Sequence, residues 1–389
     1  MEMKCSFCGL PYEQEKVISG ITGNICEECV NIVYFKKDFF KIQSNDKFKK
    51  LKPKNIKLDL DKYIVGQDDS KKKLAVEICN HYKRMNFQNE DIEIPKSNIL
   101  LIGPTGSGKT YLLEVLSKIL DVPLVIGDAT SLTESGYVGK DVDSLLASLI
   151  DKANGDIKKA ESGIIYIDEI DKIKSDNSNR NNGKDVGGEG VQQALLKIID
   201  GMEYTFEKTG ETINTKNILF VCGGAFVGLE KIIEKRTKKK MSIGFNVNLT
   251  EKPNDNENLK ENILSNVQTE DLIEFGLIRE FLGRMHLITV LNELTIEDLK
   301  NILTKPKNSI VKQYQTLMKL DNINLEFSDD AIGYIAEEAK KKGTGARALK
   351  GILSNKLSDL LYELESEETS DENKKMKDFT ITKKYLENV

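Results

Sequence analysis

The feature that most constrains this chain of 389 residues is the segment 103–110, Gly-Pro-Thr-Gly-Ser-Gly-Lys-Thr, which has the spacing of a phosphate-binding loop. Apolar residues 98–102 precede it and predict a short buried strand, while a helical pattern follows it. Glycines let backbone N–H groups turn towards a phosphate, and the dipole of the following helix adds positive potential. The segment therefore predicts a nucleoside triphosphate site and argues against a glycine-rich turn without a ligand.

Two side chains at the end of this loop have separate predicted tasks. Lys109 is expected to reach the β- and γ-phosphates, and the hydroxyl of Thr110 is expected to ligate magnesium. The predicted nucleotide-binding residues in and beside the loop are Gly103, Pro104, Thr105, Gly106, Ser107, Gly108, Lys109, Thr110 and Tyr111.

A second apolar run, residues 163–167, ends in the acids Asp168 and Glu169. In an NTPase, the first acid would hold the hydration shell of magnesium, and the second would orient and deprotonate the attacking water. Taken alone, the pattern is equally typical of a strand that ends in solvent. The phosphate-binding loop in the same chain favours the catalytic interpretation.

Four of the six cysteines form two Cys-x₂-Cys pairs near the start of the chain, Cys5 with Cys8 and Cys26 with Cys29. Two such pairs can close one tetrahedral thiolate site for zinc. The alternative is two disulfides or redox pairs, which a reducing cytosol disfavours. Because so short a segment cannot fold on its apolar residues alone, we expect metal binding to supply folding free energy.

Composition is that of a multidomain cytoplasmic protein, with 39% hydrophobic residues, 31% charged residues and a net charge of −5. No hydrophobic run is long enough to span a membrane, and the start shows neither an apolar signal nor a transit segment. The mildly acidic total argues against a globally basic nucleic-acid binder.

The pattern along the chain predicts an α/β fold with four parts. We expect a four-cysteine zinc module at 1–40, a lysine-rich linker at 41–57, a nucleotide domain with a parallel sheet at 58–286, and a small helical domain at 287–389.

Local patterns within the last two parts predict individual elements. Thr295 and Asp298 are expected to form a capping box, and Ser328 is expected to cap a helix ending near Gly343. The predicted strands are 98–102, 123–126, 163–168 and 217–222, and the clearest helix is 191–201.

Six signatures in order along the chain carry a family resemblance. They are the four-cysteine module, the phosphate-binding loop, Gly-Tyr-Val-Gly at 136–139, Ile-Asp-Glu-Ile-Asp-Lys at 167–172, Gly-Glu-Gly-Val-Gln-Gln at 188–193, and Gly-Ala-Arg at 345–347. Together they resemble the ClpX family, the AAA+ unfoldase subunits of the Clp protease. The resemblance covers nearly the whole chain.

The resemblance implies an AAA+ homo-hexamer that binds ATP between subunits and threads unfolded or tagged proteins through a central pore into a ClpP-type peptidase. Adaptor proteins are possible partners, whereas neither a membrane nor a nucleic acid is expected. The site residues it implies are Tyr137 and Val138 in the pore loop, Arg284 as a catalytic arginine finger, Arg347 as a second sensor, Ile64 and Val65 beside the adenine, and Ile243, Gly244 and Phe245 for peptidase docking.

The chain also departs from the family pattern. Residues 202–214 stand where many bacterial members carry a basic Arg-Lys-His loop, and the only histidines are His81 and His286. Recognition of C-terminal carboxylate tags is therefore open. Arg279 replaces a usual proline, and no first-sensor residue is evident near Val221.

Two other functions remain open from the sequence. The four cysteines and the lysine-rich linker also suit a zinc-ribbon, nucleic-acid-dependent AAA+ ATPase. A remodelling chaperone without a peptidase differs from the leading interpretation only through the Ile-Gly-Phe segment at 243–245.

Overall fold

A computed structural model of the chain describes residues 3–12, 17–19, 23–31, 48, 51–85, 87, 92, 94–132, 138–175, 188–206, 209–242, 263–366 and 377–388. The chain forms two units, one of residues 1–51 with 82–90 and the other of residues 52–81 with 91–389. Among the described residues, no helix has both the length and the apolar character needed to cross a bilayer.

The smaller unit is built from two short antiparallel strand pairs. Strand β1 (Met3–Lys4) pairs with β2 (Pro11–Tyr12), and β3 (Val17–Ser19) pairs with β4 (Asn24–Cys26). Its buried cluster consists of three cysteines, with Ile25 packed against them. Strands of two or three residues cannot bury an independent apolar core, so the cysteines occupy the place of one.

The larger unit contains a five-stranded parallel sheet in the order β11-β5-β10-β7-β6. Its strands are β5 (Ile99–Ile102), β6 (Leu124–Asp128), β7 (Ile164–Asp168), β10 (Leu219–Gly224) and β11 (Leu287–Val290). The short strands β8 (Glu203–Thr205) and β9 (Thr212–Asn214) form a separate antiparallel hairpin in the segment that lacks the basic loop. All four predicted strands are confirmed to within two residues at each end.

Helices cover this sheet and continue the predicted α/β alternation. They are α1 (Pro53–Asp61), α2 (Asp68–Met85), α3 (Lys109–Leu120), α4 (Val138–Lys152), α5 (Ile157–Glu161), α6 (Gly188–Asp200), α7 (Leu229–Ser242), α8 (Thr269–Phe275) and α9 (Arg279–Leu282). The helix predicted at 191–201 is α6, which buries Val191, Leu195 and Ile199 in the core and ends before Gly201 at φ +100°.

Helix α1 and the parallel sheet lie across the predicted domain boundaries. Helix α1 begins at Pro53 and buries Ile56 and Leu60, so residues 53–57 of the predicted linker are helical. Strand β11 pairs in parallel with β5, so the sheet continues beyond residue 286 to Val290. This pairing joins residues far apart in the sequence, and no local pattern marks it.

The C-terminal part contains α10 (Ile296–Thr304), α11 (Ile310–Leu320), β12 (Ile323–Phe327), α12 (Asp329–Lys341), α13 (Ala346–Ser366), β13 (Lys377–Ile381) and α14 (Lys383–Asn388). The parallel pair β12–β13 was not predicted. The capping box of Thr295 and Asp298 is confirmed, with the Asp298 N–H donating to Thr295 Oγ1 at 3.1 Å and the Thr295 N–H donating to Asp298 Oδ2 at 3.0 Å.

The predicted cap at Ser328 is wrong in its chemistry. Ser328 does precede α12, which ends two residues before Gly343. Its hydroxyl, however, donates to the carbonyl of Ile381 at 2.9 Å and does not accept from the first turn of the helix. The β12–β13 pairing brings Ile381 beside it, and a tertiary hydrogen bond replaces the local one.

Candidate nucleotide and zinc sites

The backbone of the phosphate-binding loop has a conformation that only glycine adopts without strain. Gly106 has φ +80° and Gly108 has φ +96°, and α3 begins directly afterwards at Lys109. Gly103 faces the backbone of the segment after β11, since a Cβ there would lie 2.7 Å from the Leu291 carbonyl oxygen. The loop can therefore curve its N–H groups around an anion at the start of a twelve-residue helix.

Lys109 lies inside the curve of this loop. Its side chain is buried, and Nζ donates to the carbonyl oxygens of Gly103 at 2.5 Å and Pro104 at 3.1 Å. Burial lowers the pKa of Lys109, and the charges of Asp168 and Asp171 only partly oppose that shift. An anionic ligand in the curve would favour the ammonium form of this side chain.

Asp168, at the end of β7, lies opposite the start of α3. Its Oδ1 accepts from the Tyr166 hydroxyl and from the Glu169 N–H, both at 2.9 Å. Its Oδ2 is 3.5 Å from the Thr110 hydroxyl. A carboxylate and a hydroxyl are hard oxygen ligands that suit magnesium, which retains several waters in such sites, so this donor set fits the predicted ion.

Glu169 has φ +58°, a left-handed conformation that is uncommon for a residue with a side chain. The turn breaks the strand at this point and leaves the Glu169 side chain exposed, while Ile170 returns to the core. The two acids of the predicted pair therefore have different environments. Asp168 is held by hydrogen bonds, and Glu169 faces the open space beside the loop.

Asp171 is a site residue that the sequence analysis did not identify. It is buried, and its two carboxylate oxygens accept from the N–H groups of Ala225 and Phe226, each at 3.2 Å. Gly224 provides the space, because a Cβ there would lie 2.4 Å from Asp171 Oδ1. This carboxylate ties the end of β7 to the loop after β10, where no first sensor was found. The sequence signal that could have identified Asp171 is its position as the third acid in Ile-Asp-Glu-Ile-Asp, directly after the predicted catalytic pair.

The loop, the acids and the start of α13 surround a cavity of about 560 Å³. The Ala346 N–H donates to the Gly106 carbonyl at 3.2 Å, which joins the C-terminal part directly to the loop. The residues that line the cavity are Thr105, Gly106, Gly108, Lys109, Thr110, Tyr111, Glu114, Asp168, Glu169, Asp171, Lys172, Ala225, Val227, Ala346 and Arg347. Most of the predicted loop residues, both acids and Arg347 are thus brought together.

Gly103, Pro104 and Ser107 of the loop do not line this cavity, and neither do the predicted residues Ile64, Val65 and Arg284. Ile64 and Val65 are half-buried in the turn between α1 and α2, where Lys71 Nζ donates to the Ile64 carbonyl at 3.2 Å. Arg284 is half-exposed and forms an ion pair through Nε with Asp200 at the end of α6. Its predicted contact would be with a nucleotide on another subunit.

The predicted pore-loop and peptidase-docking residues lie mostly outside the part of the chain that the structure describes. Tyr137 in the pore loop and the docking residues Ile243, Gly244 and Phe245 lie outside the described residues. Val138 is the first residue of α4.

The four N-terminal cysteines converge in the smaller unit, with their sulfur atoms all within 4.8 Å of one another. All four are free thiols, so the alternative of two disulfides does not fit. Zinc held by four thiolates at about 2.3 Å requires sulfur atoms about 3.8 Å apart. Cys8 and Cys26 have this separation, 3.8 Å, and the cluster therefore fits zinc.

Backbone hydrogen bonds prepare part of this cluster for a cation. The N–H groups of Phe7 and Cys26 each donate to Cys5 Sγ at 3.3 Å. Burial alone would raise the pKa of Cys5, but N–H groups of Cys8, Cys26 and Phe7 outweigh it and lower the pKa. Burial and the neighbouring thiols raise the pKa of Cys29. Four thiolates therefore need a cation to neutralise their repulsion.

The substitution Cys26→Ser is expected to reduce zinc from one ion per chain to none, because three thiolates no longer close the site. ATP affinity is expected to change by less than about twofold, since every residue lining the nucleotide cavity belongs to the larger unit. Metal analysis and nucleotide titration measure the two effects. Cys79→Ser, outside the cluster, is the control and is expected to retain zinc. Zinc retained by Cys26→Ser would contradict the assignment.

Comparisons with known proteins agree with these sites. Residues 94–288 match the AAA domain (Cdc48 subfamily), residues 294–377 match the C-terminal, D2-small domain of ClpB protein, and residues 3–34 match the ClpX C4-type zinc finger. Two relatives, from Borrelia duttonii (strain Ly) and Borrelia recurrentis (strain A1), are each called ATP-dependent Clp protease ATP-binding subunit ClpX. Each is 46% identical over 397 aligned residues, covering 97% of this chain and 90% of the relative.

Proposed function

This chain belongs to the ClpX family and is an AAA ATPase, and from that premise we propose that it is a protein unfoldase of a Clp protease. It would use ATP hydrolysis to thread unfolded or tagged proteins through a homo-hexameric ring into a ClpP-type peptidase. The observation that carries the proposal is the cavity in which the phosphate-binding loop, Asp168, Glu169 and Arg347 meet.

The hydrolytic chemistry is assigned to four side chains. Lys109 holds the β- and γ-phosphates, and Thr110 with Asp168 would hold magnesium, which neutralises charge on the phosphate oxygens. Glu169 orients water and takes one of its protons as the water oxygen bonds to the γ-phosphorus. The bond from phosphorus to the β–γ bridging oxygen breaks, and ADP leaves with that oxygen. The exposure of Glu169 beside the loop supports this role.

The contact between the loop and α13 supports coupling of hydrolysis to motion. Gly106 and Gly345 pack backbone to backbone, since a Cβ on Gly345 would lie 2.6 Å from the Gly106 carbonyl oxygen. Arg347 follows at the cavity wall and can sense the phosphates. Loss of the γ-phosphate on hydrolysis would therefore shift the position of the C-terminal part.

Arg284 is proposed to complete the site of a neighbouring subunit. Its Nε donates to Asp200, and the described residues give its terminal nitrogens no further ion pair. A guanidinium held through Nε can still present two N–H groups to a phosphate. Asp200 would then orient the finger, and the half-exposed position of Arg284 suits a contact between subunits.

Substrate and peptidase contacts are proposed from the sequence. A tyrosine directly before α4 and a valine at the first residue of α4, both between glycines at 136–139, suit a segment that grips polypeptide by bulk. Ile243 and Phe245 would anchor in a hydrophobic cleft of the peptidase, and both follow α7 in the chain. Because residues 203–214 contain an acidic hairpin in place of a basic loop, tag preference would differ from members that attract a carboxylate.

Two single substitutions test the proposal as a matched pair. Tyr137→Ala is expected to retain ATP hydrolysis but to lower the rate of unfolding at least tenfold, because the loop loses its bulky side chain. Phe245→Ala is expected to retain unfolding and to lose degradation by added peptidase. A fluorescent substrate protein, assayed with and without peptidase, separates the two effects. Unfolding at the wild-type rate by Tyr137→Ala would contradict threading, and stimulation of ATP hydrolysis by DNA alone would favour the nucleic-acid ATPase.

A further inference from the structure

Tyr166 is a fully buried tyrosine whose hydroxyl reaches Asp168, a residue of the cavity wall, from inside the sheet. It lies on β7 two residues before Asp168, so both side chains lie on the same face of the strand. The Tyr166 hydroxyl donates to Asp168 Oδ1 at 2.9 Å. A phenol carries its proton at neutral pH, and a carboxylate oxygen can only accept, so Tyr166 is the donor in this pair.

This hydrogen bond divides the two oxygens of Asp168 between separate tasks. Oδ1 accepts from both Tyr166 and the Glu169 N–H, whereas Oδ2 points towards the Thr110 hydroxyl 3.5 Å away. Rotation of the carboxylate about its χ2 torsion would break two hydrogen bonds, one of them to a buried donor. The oxygen that faces Thr110 is therefore kept available for a ligand.

The neighbouring strand leaves space for the hydroxyl. Gly223 on β10 has no side chain, and a Cβ there would lie 2.2 Å from the Tyr166 hydroxyl oxygen and 2.7 Å from its ring. Glycine in the interior of a buried strand weakens the strand, and it commonly marks a close approach by another group. At this position the approaching group is the tip of Tyr166.

We infer that Tyr166 is a positioning residue for the magnesium–nucleotide site, acting through Asp168 to hold Oδ2 towards the ion. The inference rests on the proposed function, in which Asp168 contributes to magnesium binding. Tyr166 does not line the cavity and would act through Asp168. This role adds a residue of the sheet interior to the site. It also explains why a tyrosine stands at 166 and why the residue opposite its hydroxyl, Gly223, has no side chain.

The test is the binding of Mn²⁺ as a spectroscopic probe for magnesium. Free Mn²⁺ is followed by electron paramagnetic resonance while full-length Tyr166→Phe is titrated in the presence of ADP. The ring and its packing remain, and only the hydroxyl is lost. The Kd for Mn²⁺ is expected to rise about tenfold, the effect of losing a hydrogen bond to a charged group. ADP affinity in EDTA is expected to stay within about twofold of wild type.

Controls separate positioning from general damage. Tyr82→Phe removes a hydroxyl from another fully buried tyrosine, outside the cavity, and is expected to leave the Kd for Mn²⁺ unchanged. Gly223→Ala crowds the Tyr166 hydroxyl while keeping the tyrosine, and is expected to raise the Kd for Mn²⁺ in the same direction. Thermal melting of each variant confirms that it is folded.

The outcomes distinguish this inference from the proposed function. Asp168→Asn is expected to raise the Kd for Mn²⁺ more than Tyr166→Phe does. An unchanged Kd in Asp168→Asn would overturn the magnesium assignment itself. A raised Kd in Asp168→Asn with an unchanged Kd in Tyr166→Phe would overturn only the role of Tyr166. The role of Tyr166 would also be overturned if Tyr166→Phe lowered ADP affinity in EDTA as much as it lowers Mn²⁺ affinity. The defect would then be a general one of the nucleotide site.

Discussion

Glu169→Gln is expected to lower the turnover number for ATP by a factor on the order of 10² or more, while ATP affinity changes by less than about twofold. The water loses its base, but the phosphate-binding loop is untouched because Glu169 takes no part in the described contacts of Lys109. Steady-state hydrolysis and nucleotide titration measure the two effects separately. Glu337→Gln, on an exposed position of α12, is the matched control and is expected to keep wild-type turnover.

Equal losses of turnover and affinity in Glu169→Gln would reject this division of roles. Glutamine is a suitable replacement because it has nearly the size of glutamate and places the same demands on the left-handed backbone at position 169. A proton acceptor is then the only group removed.

Lys109→Ala is expected to weaken ATP binding itself, by about 2–5 kcal/mol, or roughly 30-fold to several thousand-fold in Kd. The buried ammonium lies within the curve of the loop, and no other lysine of the described chain shares its contacts with Gly103 and Pro104. Isothermal titration with a slowly hydrolysed ATP analogue measures the loss. Lys118→Ala, exposed near the other end of α3, is the control for loss of a positive charge on the same helix.

An unchanged nucleotide Kd in a folded Lys109→Ala variant would show that the assignment of residues 103–110 as a phosphate-binding loop is wrong. Equal losses in Lys109→Ala and Lys118→Ala would assign the effect to net charge on α3. Together with Glu169→Gln, these variants separate binding from chemistry at one cavity.

Most of the signals that the sequence carried locally were interpreted correctly, with the cap at Ser328 as an exception. The glycines of the phosphate-binding loop, the paired cysteines and the capping box of Thr295 each specify a backbone conformation or ligand set within a few residues. Apolar periodicity likewise predicted four strands and α6. The roles of Ile64, Val65, Tyr137, Arg284, Arg347 and the docking segment 243–245 stay predictions, since they depend on a nucleotide, a substrate or another chain.

The sequence by itself determined that this chain builds a phosphate-binding loop, a strand ending in two acids and a four-cysteine cluster, because these features need only neighbouring residues. Only the tertiary structure decided what completes them. Pairing of β11 with β5 added a fifth strand to the sheet, and pairing of β12 with β13 changed the partner of Ser328. The pairing of β7 with β10 placed Tyr166 behind Asp168 and Asp171 at the cavity, opposite glycines distant in the sequence. Parallel pairing joins segments far apart along the chain, and no local pattern specifies which segments will meet.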